Sequence, residues 1–350
     1  MNRSRISPSA PTAPTAPDAA QTLSSPAAGR RRILTAGAAG VLSVAAPSIV
    51  RAQSDWPSKP VRMVVPFPAG GGADLGARTV ATHLGAVFGK PVVVENRAGA
   101  DGAVAALEVQ KSAPDGHTIY FGTATSMTYV PNLKRNPPYD PIADFTPISG
   151  FCIFTFYLMV APTIPARTAA EFVAHVKANP GKLSYATGNS TGILAFGQLL
   201  QSNGLDMVHV PYKGEAQAAI DLIGGRIQAM FATPAIMPQL LKADFKPVAV
   251  LLPTRTKTMP EVPTMVEAGL PLVNILPWGG LFGPAKLPRD LTERISRDFG
   301  GVMRRQDVIE QYEKLGLFPS PSSPQAMADL LKEQLAVWGR TMRALNIPLE

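Results

Sequence analysis

The stretch VRMVVPFPAGGGAD, residues 61–74, decides how the rest of the chain is read. Val61 to Phe67 is apolar apart from Arg62 and reads as a buried strand, Pro68 to Gly72 as a loop, and Asp74 as the cap of a helix. That helix carries Leu75, Val80, Leu84, Val87 and Phe88 on one broad face, and Gly89 ends it. A strand, a glycine loop and a helix in this order open an α/β unit. The unit continues with a second strand at Val92 to Val94, a second glycine-bearing loop from Asn96 to Gly102, and a helix from Ala103 to Lys111. Pro114-Asp115-Gly116 makes a turn before a third strand, Thr118 to Gly122.

Beyond this β-α-β-α-β unit, residues 131–147 carry five prolines and little periodicity, so an irregular surface segment is expected. The apolar run from Ile148 to Val160 reads as a strand leaving one domain for another. A second alternating set follows, with helices at 168–178, 193–202, 216–223 and 236–242 and strands at 183–187, 208–212, 227–231 and 247–252. Pro253 to Pro263 is a proline-bearing crossover. The remainder reads as mainly helical and ends in a long helix capped by Ser323, with Pro324 in its first turn. The fold class expected is therefore α/β: two lobes with parallel-rich sheets, hinged by two chain crossings. Residues 53–153 and 276–350 form the first lobe and 154–275 the second.

The amino terminus has a different composition. Residues 1–29 are rich in Pro, Ala, Ser and Thr, with too little apolar surface to offset the entropy of ordering. Arg30-Arg31-Arg32, an uncharged stretch from Ile33 to Val50 and then Val50-Arg51-Ala52 have the layout of an export signal, with cleavage expected after Ala52. The arginine pair favours twin-arginine export over the general route, and a membrane anchor is the alternative, disfavoured by Pro47 and weak hydrophobicity. Residues 1–52 hold six arginines against one acid, Asp18, so their removal lowers the net charge from +8 to +3. A mildly basic body without an aromatic-basic stripe gives no reason to invoke nucleic acid. One cysteine, Cys152, excludes an internal disulfide.

Pro68 to Asp74 is the strongest local site feature. Glycines allow close approach of a ligand, and the helix behind them offers unpaired amides to an anion such as a small carboxylate. A dinucleotide fingerprint is a rival reading, since Glu95 ends the next strand about twenty residues on. Yet Leu75 stands where a third glycine belongs, and Asp74 would repel a pyrophosphate. A plain connecting turn is the third reading. Tyr185 to Gly192 forms a second candidate, a polar cradle of hydroxyls and backbone donors that an ordinary helix cap by Ser190 or Thr191 also explains. His83, His117, His175 and His209 lack metal-ligand spacing, and no G-x-S-x-G elbow is present, so neither a metal, a cofactor nor a catalytic residue is expected.

Seven blocks then occur in one order from Trp56-Pro57 to the carboxyl end. They are Val64-Val65-Pro66-Phe67 with Gly70-Gly71 and Asp74; Val94-Glu95-Asn96-Arg97 with Gly99; Pro114 to Thr118; Pro180 to Tyr185; Val210 to Gly214; Asp221-Leu222 with Gly224-Gly225; and Pro260 to Thr264 with Glu267 and Gly269. In these the chain resembles the Bordetella uptake gene receptors, the substrate-binding proteins of tripartite tricarboxylate transporters. The resemblance implies a type II-like periplasmic binding fold whose cleft holds a carboxylated metabolite. It implies that Phe67, Ala69, Gly70, Gly71, Gly72 and Asp74 hold one carboxylate, partly through ordered water. Thr123, Ala124, Thr125 and Ser126 are then a further contact on the same lobe, and Thr187, Gly188, Asn189, Ser190 and Thr191 the opposing one. The family usually has glycine where Ser190 stands, one more residue in that loop, a His at Leu194 and an acid at Ala232. Ala232 argues against an amino-acid ligand.

The function expected is a monomeric periplasmic solute-binding protein, not an enzyme. It captures a small organic or aromatic carboxylate for the membrane permease subunits of a tripartite tricarboxylate-type transporter. The alternative is a periplasmic α/β enzyme acting on a small carboxylic acid.

Overall fold

The computed structural model describes residues 56–212, 214–270, 273 and 275–350. The expected signal segment, its anchor alternative and its cleavage point lie outside the described residues. β1 (Val61–Val65) buries Val61, Met63 and Val65 against one apolar cluster and Val64 against another, the two-sided burial of a central parallel strand. α1 (Gly72–Phe88) follows it, and Gly89 ends α1 in the left-handed conformation at φ 68°. The cap differs from expectation. Gly71 is the N-cap, and Asp74 is the third helical residue, reaching back to the loop. The buried face of α1 is Ala73, Ala77, Val80, Ala81, Leu84 and Phe88; Leu75 is only partly buried and Val87 is 53 % exposed.

β2 (Val92–Asn96), α2 (Ala103–Gln110) and β3 (Thr118–Thr123) complete the first unit, and β1 pairs in parallel with both β2 and β3. The proline-rich segment begins in a short helix, α3 (Val130–Leu133), and its last residues already belong to β4 (Phe145–Phe154). The run to Val160 is two strands in different sheets. β4 and β5 (Tyr157–Val160) are separated by Thr155 and Phe156, which carry the chain across.

The second set comprises α4 (Ala169–Ala178), β6 (Ser184–Thr187), α5 (Ser190–Asn203), β7 (Val208–Pro211), α6 (Glu215–Ile223), β8 (Ala229–Ala232), α7 (Met237–Lys242) and β9 (Lys246–Val250). Thr168 caps α4 in a reciprocal box with Glu171. Its sheet runs β7-β6-β8-β5-β9, with β6 parallel to β7 and β8, and β5 antiparallel to β8 and β9.

The chain returns through residues 251–277 into β10 (Trp278–Pro284), then α8 (Arg289–Met303), α9 (Gln306–Lys314), β11 (Leu317–Pro319) and α10 (Pro324–Ala344), with Ser323 as the N-cap of α10. The remainder is mainly helical, as expected, but β10 and β11 were not anticipated. β10 is buried along its whole length and lies between β3 and β4 in a sheet ordered β11-β4-β10-β3-β1-β2. Its glycines are small because neighbours cross the strand. A Cβ on Gly280 would lie 2.8 Å from Met327 Sδ, and one on Gly279 would strike the Phe121 ring. The architecture is thus α/β with two lobes, each built on its own mixed sheet.

Candidate functional site

Strand order fixes where each sheet can take a ligand. In the first, the chain passes from β1 outward to β2 and then returns to the other side of β1 for β3, so the carboxyl ends of β1 and β3 flank a switch point. In the second, β7 and β8 lie on opposite sides of β6, so the switch point falls between the ends of β6 and β8. Both are crevices because successive connections leave in opposite directions. The first is flanked by the loops 66–71 and 124–126, and the second by 188–189 and 233–236.

The loop after β1 is shaped by Asp74. This carboxylate is only 2 % exposed, yet it accepts from Gly70 N at 2.9 Å, Asn96 Nδ2 at 2.9 Å and Arg78 Nε at 3.0 Å. Burial works to raise its pKa, but the hydrogen bonds from Arg78, Gly70 and Asn96 together hold it below the ordinary value. Asp74 therefore spends its oxygens on the protein and braces the loop in front of α1. Phe67, Gly71 and Gly72 are partly buried and Ala69 and Gly70 exposed. Glu95, the acid a dinucleotide fingerprint would direct to a ribose, is occupied by Arg62 and Arg97.

After β3 the chain enters a wide helical turn, Thr125–Tyr129. Ser126 is wholly buried and committed internally: its hydroxyl accepts from Tyr120 Oη at 2.7 Å and from Thr123 N at 3.2 Å. Thr123 is different. Its Oγ1 is buried without a hydrogen-bond partner among the described residues, as are Thr155 Oγ1 just past β4 and Trp278 Nε1 at the start of β10. All three residues stand at the same end of the sheet, since β10 runs antiparallel to both β3 and β4, but Thr123 shares a face with its partner Gly279 while Trp278 belongs to the opposite face. Orphaned buried polar atoms are rare in folded proteins, and of these three Thr123 alone ends a strand that flanks the switch point, which leaves its hydroxyl for a polar partner there.

In the second lobe, Asn189 is the N-cap of α5, so α5 starts at Ser190, three residues before its expected start, and neither Ser190 nor Thr191 caps it. Asn189 Oδ1 accepts from Gly192 N at 2.8 Å, and its Nδ2 donates to Glu215 Oε1 at 2.7 Å. Thr187 Oγ1 shares a hydrogen bond with His209 Nε2 at 2.7 Å. Gly188 crosses the first residue of α6 so closely that a Cβ there would lie 2.6 Å from Glu215 N.

The two lobes meet at these strand ends. Thr125 Oγ1 and Ser190 Oγ share a buried hydrogen bond of 2.7 Å, joining the loop after β3 to that after β6. Beside it Gly316, in the turn before β11, abuts the Pro234 ring just past β8. Thr125 and Ser190 are thus brought together. No hydrogen bond among the described residues links 67–74 to the second lobe.

Two contributors were missed. The turn Gly99–Gly102 has φ values of 142°, 45°, 54° and 89°, left-handed throughout even at Ala100 and Asp101. A Cβ on Gly102 would lie 2.8 Å from Pro66 Cβ and 3.0 Å from Ser126 Cβ, so this strained turn is wedged between the two first-lobe loops. Its glycines were the available signal. The other is Glu215 with Thr233, treated below, for which residue order offered none.

Comparison with known proteins gives the family of the chain. The profile of the Tripartite tricarboxylate transporter family receptor matches residues 76–347. A protein of the tcbD-tcbE intergenic region of Pseudomonas sp. is 34 % identical over 319 residues, 89 % of this chain and 93 % of that one. Protein BugT of Bordetella pertussis is 29 % identical over 301 residues, 84 % of this chain and 92 % of its own length. An R. palustris protein solved with adipate superposes with a TM-score of 0.79 at 29 % identity, covering 84 % of this chain and 99 % of that one. The chain belongs to the tripartite tricarboxylate transporter receptor family.

Proposed function

We propose that this protein is a periplasmic receptor that captures a small carboxylate between its two switch points and delivers it, unaltered, to the membrane permease subunits of a tripartite tricarboxylate-type transporter. The observation that carries the reading is the Thr125–Ser190 hydrogen bond, which holds the two strand-end loops face to face beside the orphaned Thr123 hydroxyl. The ligand-binding set is Phe67, Ala69, Gly70, Gly71, Gly72 and Asp74 with Thr123, Ala124, Thr125 and Ser126 from the first lobe, and Thr187 to Thr191 from the second. Within it, Asp74 positions the loop while amides and hydroxyls meet the ligand. The lobes comprise 53–153 with 276–350 and 154–275, the protein acts as a monomer, and a cleaved twin-arginine signal exports it.

Capture follows from differential affinity. A carboxylate that accepts hydrogen bonds from both lobes is bound more tightly by the closed arrangement and so shifts the population toward it. Amides and hydroxyls satisfy the anion without a buried arginine. Adipate on the R. palustris relative supports the ligand class. The test is a thermal-shift panel of mono-, di- and tricarboxylates and aromatic acids, followed by recovery of the ligand and its nuclear magnetic resonance spectrum. Saturable stabilisation with an unchanged spectrum is expected. Turnover, or no stabilisation by any carboxylate, overturns the proposal.

A further inference from the structure

α6 opens with Glu215, whose carboxylate bridges the crevice between β6 and β8. Oε1 accepts from Asn189 Nδ2 at 2.7 Å, on the loop after β6, and Oε2 accepts from Thr233 N at 3.1 Å and Thr233 Oγ1 at 2.6 Å, just past β8. The two loops it ties are those that touch the first lobe, one through Ser190 and the other through Pro234. Glu215 therefore sits at the second lobe's switch point, within one residue of the contact that faces the first lobe.

The chemistry of this carboxylate is unbalanced. It has room for about four accepted hydrogen bonds and receives three, all from neutral donors. Among the described residues no Lys, Arg or His bonds to it. Burial pushes its pKa up to about 7 against the hydrogen bonds from Thr233 and Asn189, which work the other way. Titratable groups on neighbouring elements are His209 on β7, bonded to Thr187, and Asp221 on α6, bonded to Arg226 and Tyr212. Neither supplies Glu215 with a counter-charge. Above about pH 7, where Glu215 is ionised, a second anionic group brought against it in a site closed to water would be repelled, whereas an N–H or O–H donor would fill the vacant acceptor position on Oε1.

We propose that Glu215 sets ligand specificity, admitting a carboxylate whose far end carries a hydrogen-bond donor, a hydroxyl or an ammonium, and disfavouring one that ends in a second carboxylate. The inference rests on the receptor reading and narrows its ligand class. In this arrangement the first-lobe loops take the ligand carboxylate and Glu215 reads the opposite end.

The test is isothermal titration calorimetry at about pH 8.5, where Glu215 is ionised, on the purified chain with length-matched sets: 4-hydroxybutanoate, 4-aminobutanoate and succinate; 6-hydroxyhexanoate, 6-aminohexanoate and adipate; 4-hydroxybenzoate, 4-aminomethylbenzoate and terephthalate. Within any set that binds, a donor-ended member should exceed the dicarboxylate by about tenfold or more, and Glu215→Gln should bring that ratio to about one or invert it. The hydroxyl and ammonium arms tell the two donor types apart, since only the ammonium gains from the charge. Glu215→Ala serves as a second variant, and circular dichroism verifies that both remain folded. Preference for the dicarboxylate in the wild-type chain, or a ratio that Glu215→Gln leaves unchanged, overturns the inference while the receptor reading stands. Failure of every carboxylate to bind overturns the receptor reading, and this inference with it.

Discussion

Replacing Gly188 with alanine should damage the second-lobe cradle more than its chemistry suggests. An added Cβ would lie 2.6 Å from Glu215 N, 2.7 Å from Gly214 C and 2.9 Å from Glu215 Cα. All three are backbone atoms, so no flexible side chain can swing away, and either the 187–191 loop or the start of α6 must move. Overpacking of this kind costs about 1–3 kcal/mol. Separation of the loop from α6 also stretches the Asn189–Glu215 hydrogen bond, a charge-assisted contact of 2.7 Å whose loss adds about 1 kcal/mol or more. The expected total is about 2–4 kcal/mol, or a fall in Tm of about 3–7 °C for a chain of this size. The control is Gly214→Ala, at the other side of the same contact. Gly214 has extended backbone at φ 178° and nothing within 4 Å of an added Cβ, so it should stay within about 0.5 kcal/mol of wild type. Urea unfolding at constant m separates the two variants. Equal midpoints for Gly188→Ala and Gly214→Ala would refute the reasoning, because they would mean that the loop yields without cost.

Thr123→Val removes a hydroxyl that has no protein partner, so stability should hold or rise by up to about 1 kcal/mol while carboxylate affinity falls about tenfold by calorimetry; unchanged affinity would remove Thr123 from the site. A double-mutant cycle of Thr125→Val and Ser190→Ala should give a coupling of about 0.5–1.5 kcal/mol in unfolding, and zero coupling would mean the lobes do not meet there in solution. Asp74 has a lowered folded pKa, so its contribution is present above the unfolded value and lost as pH falls through the folded one; Asp74→Asn should flatten the acid limb of urea midpoint against pH. Glu215 has the opposite sign. Its pKa is raised to about 7, so its contribution is complete below the unfolded value and is lost as pH rises through about 7, a decline that Glu215→Gln should abolish.

What was legible in residue order is what local chemistry decides. The loops after β1, β3 and β6 announce themselves because glycines, hydroxyls and helix-capping residues collect where a strand hands over to a helix, and all three lie at the carboxyl ends that flank the switch points. The cap of α1 was misread for the same local reason. Asp74 is the right residue type, but it stands at the third helical position and reaches back to Gly70, a distinction of geometry that composition does not carry. β10 escaped because its glycines serve distant side chains, Phe121 and Met327, so a buried central strand has the composition of a turn. Glu215 escaped for a deeper reason. In sequence it is an acid in the first turn of a helix, an ordinary partner for the helix dipole. It acquires another meaning only because β8 returns to the far side of β6, which brings Thr233 and Asn189 to either side of one carboxylate. The loops of the site are written locally, but the crevice between them is created by strand order, and a residue that spans the crevice can be recognised only once that order is known.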